Sequence, residues 1–124
     1  MMTERLLVSV VDDDESVRES LPDLLKEFGY SAKAFSSAEE FLGSGFVDKT
    51  RCLITDIAMP GMSGPDLQTE LRRRAHRFPI IFITAQERGR LCSDLLQQGA
   101  VACLSKPFSD EDLLEALNTG FGSN

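Results

Sequence analysis

Five short apolar runs alternate with five stretches of helical spacing along the whole chain, and no other feature narrows its fold as far. Leu6, Leu7, Val8, Val10 and Val11 make the first run apolar nearly throughout, as a strand covered on both faces requires. Val17, Leu21, Leu24, Leu25 and Phe28 then recur on one helical face, with Gly29 placed as its C-terminal cap. Pro22 lies inside that helix, removes the bond to the Arg18 carbonyl and predicts a kink. Residues 30–35 read as a weaker second strand. Ser36 predicts the start of a short helix with Glu39 as its capping-box partner, and 43–48 a loop. Residues 52–55 predict the third strand, and Gly64 with Pro65 opens a third helix whose Leu67 and Leu71 face inward. Residues 80–84 are the clearest strand. Residues 86–98 predict a fourth helix carrying Leu91, Leu95 and Leu96, capped by Gly99. Residues 101–104 predict a fifth strand, and Ser109 caps a last helix with Leu113, Leu114 and Leu117. The whole, 1–124, reads as a single domain, with 119–124 a frayed tail or a truncated linker.

This alternation specifies an α/β fold with a five-stranded parallel sheet, right-handed crossovers and helices on both faces. The strand order expected for a five-stranded doubly wound, flavodoxin-like sheet is 2-1-3-4-5, which puts a crevice outside the carboxyl ends of strands 1 and 3. No Gly-x-Gly-x-x-Gly follows the first strand, so a dinucleotide fingerprint is absent. Acids stand there instead. Asp12 and Asp13 end strand 1, and Asp56 ends strand 3 just before the Met59-Pro60-Gly61 turn. Thr84 ends strand 4 and Lys106 ends strand 5. Carboxylates this close repel, and one takes up a proton unless a cation intervenes. A hard divalent ion resolves the conflict, and Mg²⁺ commonly uses one or two carboxylates plus phosphate oxygens. Lys106 adds a point charge and Thr84 a hydrogen bond for phosphoryl oxygens. Asp56 is then free to act as a nucleophile and form an aspartyl phosphate.

The remaining features set boundaries. The formal net charge of −7 argues against direct nucleic-acid binding. No apolar run approaches the roughly 20 residues that span a bilayer, and the start lacks a signal-peptide core, so the expected location is cytoplasmic, with no membrane contact. Cys52, Cys92 and Cys103 lack metal-ligand spacing and are read as reduced, structural residues. Arg72, Arg73, Arg74, His76 and Arg77 crowd a helix end, where a solvated face is the ordinary reading.

Four segments together resemble a response-regulator receiver domain, the CheY-like module of two-component signalling. They are Val11-Asp12-Asp13-Asp14, the run from Thr55 to Gly64, Ile83-Thr84-Ala85 and Lys106-Pro107-Phe108. The resemblance implies Asp56 as phosphoacceptor, and Asp12, Asp13, Asp56 and the Ala58 carbonyl as ligands of Mg²⁺, with Mn²⁺ as a substitute. It implies Thr84, Ala85 and Lys106 as the phosphoryl-binding and switch residues, and a cis Lys106–Pro107 peptide. The donor would be a sensor histidine kinase or phosphotransfer protein. The output would be a downstream protein, or a phosphorylation-dependent homodimer, on the face of helix 4, strand 5 and helix 5. Such a module is no enzyme beyond its own phosphorylation and dephosphorylation. Cys103 departs from the family, which usually has Tyr or Phe three residues before the lysine, so no inward-turning aromatic is expected. Ala58 and Gln86 occupy positions that tune acyl-phosphate lifetime in the family. Two alternatives compete. A haloacid-dehalogenase-like Mg²⁺ phosphatase needs a second Asp two residues after the nucleophile, where Ala58 stands. A pseudo-receiver that binds partners without phosphorylation would not need the acids, Thr84 and Lys106 that are all present.

Overall fold

The computed structural model describes residues 5–85 and 89–122. Its elements follow in strict alternation: β1 (Leu7–Val11), α1 (Glu15–Glu27), β2 (Ser31–Phe35), α2 (Ala38–Leu42), β3 (Cys52–Asp56), α3 (Gly64–Arg73), β4 (Ile80–Thr84), α4 (Arg90–Gln97), β5 (Ala102–Ser105) and α5 (Asp110–Gly120). All pairings are parallel, in the expected order β2-β1-β3-β4-β5. The register sets Val11 opposite Thr55, Asp56 opposite Ile83 and Thr84 opposite Ser105. Consecutive strand ends therefore finish level along one edge of the sheet.

Side chains alternate across that sheet and build two core layers. Val8, Val10, Cys52, Ile54, Ile81 and Ile83 pack with Leu21 and Leu25 of α1 and Leu113 and Leu117 of α5. Leu53 and Phe82 point the other way, to Phe41 of α2, Leu67 and Leu71 of α3 and Leu95 of α4. β3 and β4 are buried at every position, which is why they read as unbroken apolar runs.

Several boundaries differ from the sequence reading. Pro22 lies inside α1, which continues to Glu27, held by the buried Leu21 and Leu25. The cap of α2 is Ser37, whose hydroxyl accepts from the Glu40 N–H at 3.0 Å, and not Ser36. A single 3₁₀ turn, Val47–Lys49, interrupts the loop that follows. In α4 the inward residues are Cys92 and Leu95, while Leu91 and Leu96 are 49% and 43% exposed. Gln86, assigned above to helix 4 and to tuning of the acyl phosphate, lies outside the described residues, as do the chain's first four residues. Thr119 and Gly120 are helical rather than frayed, because Phe121 stacks on Tyr30 at 5.3 Å between ring centroids. Ser123 and Asn124 are outside the described residues.

The largest departure concerns sulfur. Cys92 and Cys103 are joined in a disulfide, with Cα atoms 5.8 Å apart. Only Cys52 is a free thiol, buried in the opposite core layer. Burial pushes that thiol up to about 12, so it stays protonated.

Candidate functional site

The edge formed by the carboxyl ends of β1, β3 and β5 gathers the ionisable residues. Asp12 extends β1 by one more ladder bond, its N–H donating to the Phe35 carbonyl at 3.1 Å. Its carbonyl accepts from Arg18 Nη1 at 3.1 Å, and its Oδ1 accepts from the Asp14 N–H at 2.9 Å. These bonds turn Asp12 Oδ2 toward Lys106 Nζ, 2.9 Å away. Lys106 Nζ also lies 3.6 Å from Asp56 Oδ2, so one ammonium bridges two buried carboxylates. Asp12 is fully buried and Asp56 is 7% exposed, whereas Asp13 is exposed.

Asp14, the third acid of the run, has a different task. It is the N-cap of α1, accepting from the Ser16 N–H at 2.9 Å and the Ser16 hydroxyl at 2.8 Å. Those bonds, the hydroxyl's foremost, hold its carboxyl below the ordinary value. An Asp directly before a helical period is the sequence signal for that role.

Asp56 is fixed from below. Gly64 packs so closely under the end of β3 that a Cβ there would collide with the Asp56 carbonyl and come within 3.1 Å of both Ile57 Cα and the Phe82 ring. Its N–H donates to the Ile57 carbonyl at 2.9 Å, and the Ser63–Asp66 capping box starts α3 at that point. The Ala58 N–H reaches Asp56 Oδ1 at 3.4 Å. The following turn is tied to α2 by Glu39, whose Oε2 accepts from the Met62 N–H at 3.0 Å. Glu39 was expected to cap α2; it holds the loop beside the site instead. Arg18 and Glu39 are thus positioning residues that the sequence reading missed.

Thr84 is buried at the end of β4, and its carbonyl accepts the Lys106 N–H at 2.7 Å. That bond couples the last residue of β4 to the lysine. Ala85 is exposed just beyond. Lys106–Pro107 is cis, as the resemblance implied.

The electrostatics follow from this geometry. Burial, then the neighbouring Asp12, raises the Asp56 carboxyl above its ordinary value, with Lys106 and the Ala58 N–H opposing. For Lys106, burial favours the neutral amine, but contact with Asp12 and attraction to Asp56 together outweigh it and raise its pKa. Three carboxylates, Asp12, Asp13 and Asp56, offer oxygens all within 4.8 Å of one another. Asp12 Oδ2, although beside the ammonium, makes no well-directed hydrogen bond and is fully buried. A buried, under-satisfied carboxylate oxygen among all-oxygen donors, with three negative charges facing one positive, fits a hard divalent cation.

The chain also matches known proteins. Residues 8–118 match the family model described as a response regulator receiver domain. The chain is similar to nodulation protein W of Bradyrhizobium diazoefficiens, 45% identical over 113 residues, covering 91% of this chain and 50% of that protein. It is similar to the transcriptional regulatory protein FixJ of Azorhizobium caulinodans, 37% identical over 121 residues, covering 98% and 57%. This chain thus spans about half the length of the curated relatives it matches. Among solved structures, the crystal structure of FixJ-N superposes with a TM-score of 0.83 at 34% identity, covering 100% of this chain and 98% of that one. The response regulator StyR gives 0.80 at 38% identity, covering 97% and 61%.

Proposed function

Because the chain belongs to the response-regulator receiver family, we propose that Asp56 is its phosphoacceptor and that a sensor histidine kinase or phosphotransfer protein is the donor. The observation that carries this reading is Lys106 Nζ placed between Asp12 and Asp56 on an edge where three carboxylates converge. An Asp56 oxygen attacks phosphorus, the O–P bond forms and the P–N bond of the phosphohistidine breaks. The electron pair leaves with the imidazole nitrogen. Asp12, Asp13, Asp56 and the Ala58 carbonyl would hold Mg²⁺ (or Mn²⁺), which when bound would supply positive charge for the phosphoryl oxygens. Lys106 offers its ammonium to one of those oxygens, and the Thr84 hydroxyl donates to another. The raised Asp56 pKa reflects charge the pocket holds poorly by itself.

The domain is a signalling module, and the match leaves the phosphatase alternative without support. Its output runs through the face of α4, β5 and α5, where Leu91, Leu96 and Leu114 are exposed. A downstream protein or a second copy formed on phosphorylation would cover them. Among the described residues no helix is long and apolar enough to cross a membrane, and a cytoplasmic location suits a kinase partner. This chain covers 57% of the transcriptional regulatory protein FixJ of Azorhizobium caulinodans; the charge of −7 supports keeping any nucleic-acid contact off this domain. Incubation with Mg²⁺ and acetyl phosphate is expected to add one alkali-labile phosphoryl mass. Persistence of that label in Asp56→Ala overturns the assignment.

A further inference from the structure

We propose that Cys92 and Cys103 form a thiol–disulfide clamp on α4, so that the α4 surface responds to phosphorylation only in the dithiol state. The gating half of this rests on the receiver reading above; the clamp itself does not.

The two ends of α4 are held differently. Its C-terminal end is tied by the Ala100 N–H to the Leu95 carbonyl at 3.0 Å and by Arg72 Nη2 donating to the Gln98 carbonyl. The next residue, Val101, joins the sheet through the Ile80 carbonyl at 2.9 Å. Its N-terminal end has Gly89 as cap, with no side-chain bond to the free N–H groups. Cys92 sits in that first turn, and its disulfide joins this end covalently to β5. The same end lies nearest the site, because β4 finishes at Thr84 and α4 begins at Arg90.

The other sulfur is equally well placed. Cys103 pairs in register with Phe82, and two residues on Thr84 pairs with Ser105. The Lys106 N–H then bonds the Thr84 carbonyl. The disulfide therefore joins the start of α4 to the strand that delivers Lys106. With the bond closed, α4 cannot slide or lift relative to β5. With it open, the buried Cys92 and Leu95 side chains hold this helix by packing alone.

The chemistry balances with a small-molecule disulfide, RSSR, as oxidant. The Cys92 thiolate attacks one sulfur of RSSR, giving a mixed disulfide and releasing RS⁻. The Cys103 thiolate then attacks the Cys92 sulfur and expels the second RS⁻. Two protein thiols are oxidised, RSSR is reduced to two RSH, and the two cysteine protons end on them; a thiol in excess reverses the exchange. Cys52 stays out of it. It lies in the other core layer and its thiol is held protonated. In a reducing compartment a disulfide that does form is usually transient and redox-sensing, which suits a clamp more than a permanent staple.

The test compares the protein equilibrated in oxidised glutathione with the same protein in excess reduced glutathione. Alkylation after unfolding should add one label to the first, at Cys52, and three to the second. Amide exchange in α4 should be about tenfold slower or more in the disulfide form. On Mg²⁺ and acetyl phosphate both forms should gain the phosphoryl mass, but α4 chemical-shift changes should appear only in the dithiol form and in Cys92→Ala. Three labels in both preparations overturn the clamp, as do equal α4 exchange rates or equal α4 shifts on phosphorylation. Absence of the phosphoryl mass in both forms overturns the receiver reading instead, and α4 exchange then decides the clamp by itself.

Discussion

Replacing Lys106 by Met keeps an unbranched side chain one atom shorter and removes the cation that serves both buried carboxylates. The ammonium lies 2.9 Å from Asp12 Oδ2 and 3.6 Å from Asp56 Oδ2. At an effective dielectric near 20 the two attractions come to about 6 and about 5 kcal/mol. Desolvation cancels much of this, and removing one partner of a buried pair typically costs about 3–5 kcal/mol. The lysine side chain is 17% exposed, so water reaches it and the lower figure applies. Proton uptake by the crowded carboxylates trims the loss further as pH falls. We expect Lys106→Met to lose about 3 kcal/mol in chelator at neutral pH, seen as a urea midpoint lower by about 1.5 M for an m-value near 2 kcal/mol per M. Mg²⁺ at about 100 times its dissociation constant stabilises the parent by about 2.7 kcal/mol. It should stabilise the variant more, since no ammonium competes for the same oxygens. An unchanged midpoint in chelator, or a gap that Mg²⁺ leaves as wide as before, refutes the reading of Lys106 as the apo site's counter-ion.

Asp13→Asn should raise the metal-free melting temperature by relieving repulsion, while weakening Mg²⁺ binding, by calorimetry, by at least the ~10-fold that loss of even an outer-shell partner costs. Because the folded state holds the Asp56 proton above its ordinary value of 3.8, metal-free stability should fall as pH rises from there through the raised folded value; denaturation of Asp56→Asn should lack that slope. Gly64→Ala drives a Cβ into the Asp56 carbonyl and should cost about 1–3 kcal/mol, together with slower acetyl-phosphate labelling; an unchanged labelling rate would mean that the β3 end tolerates the shift. Reducing the Cys92–Cys103 bond, whose ends are 11 residues apart, should lower stability by up to about 3 kcal/mol on the loop-entropy estimate, with Cys92→Ala showing the same midpoint in both thiol states.

The sheet was legible because strands covered on both faces leave unbroken apolar runs, and residues 80–84 need no periodicity to be recognised. Asp12, Asp56, Thr84 and Lys106 were legible for a related reason: each stands at or just past the end of such a run, and parallel strands finish at one edge. Residues that position them leave no such trace. Arg18 acts through the Asp12 carbonyl and Glu39 through the Met62 N–H. Neither partner is marked by its side chain, so no spacing rule points to the contact. The shift of the α2 cap from Ser36 to Ser37 has a plain cause: both are serines followed three residues later by Glu, at 39 and 40. Two equally good caps compete, and Ser37 takes the role, with the Glu40 carboxylate accepting from the Ser36 N–H and Glu39 left free to reach the β3–α3 turn.

The cysteine pair shows what spacing arguments miss in an α/β unit. Leucines at 91, 95 and 96 span an arc of about 140° on α4 at about 100° per residue, and Cys92 falls inside it, between Leu95 and Leu96. In the structure Cys92 and Leu95 face inward, three residues apart, and turn Leu91 and Leu96 out to solvent. That orientation does two things at once. It lays two large apolar side chains on the proposed output face, and it brings Cys92 over the strand that carries Cys103. Leu95 and Cys92 lie near the centre of that arc, and Leu91 and Leu96 lie at its two edges. The exposed leucines and the disulfide are therefore two consequences of one helix orientation.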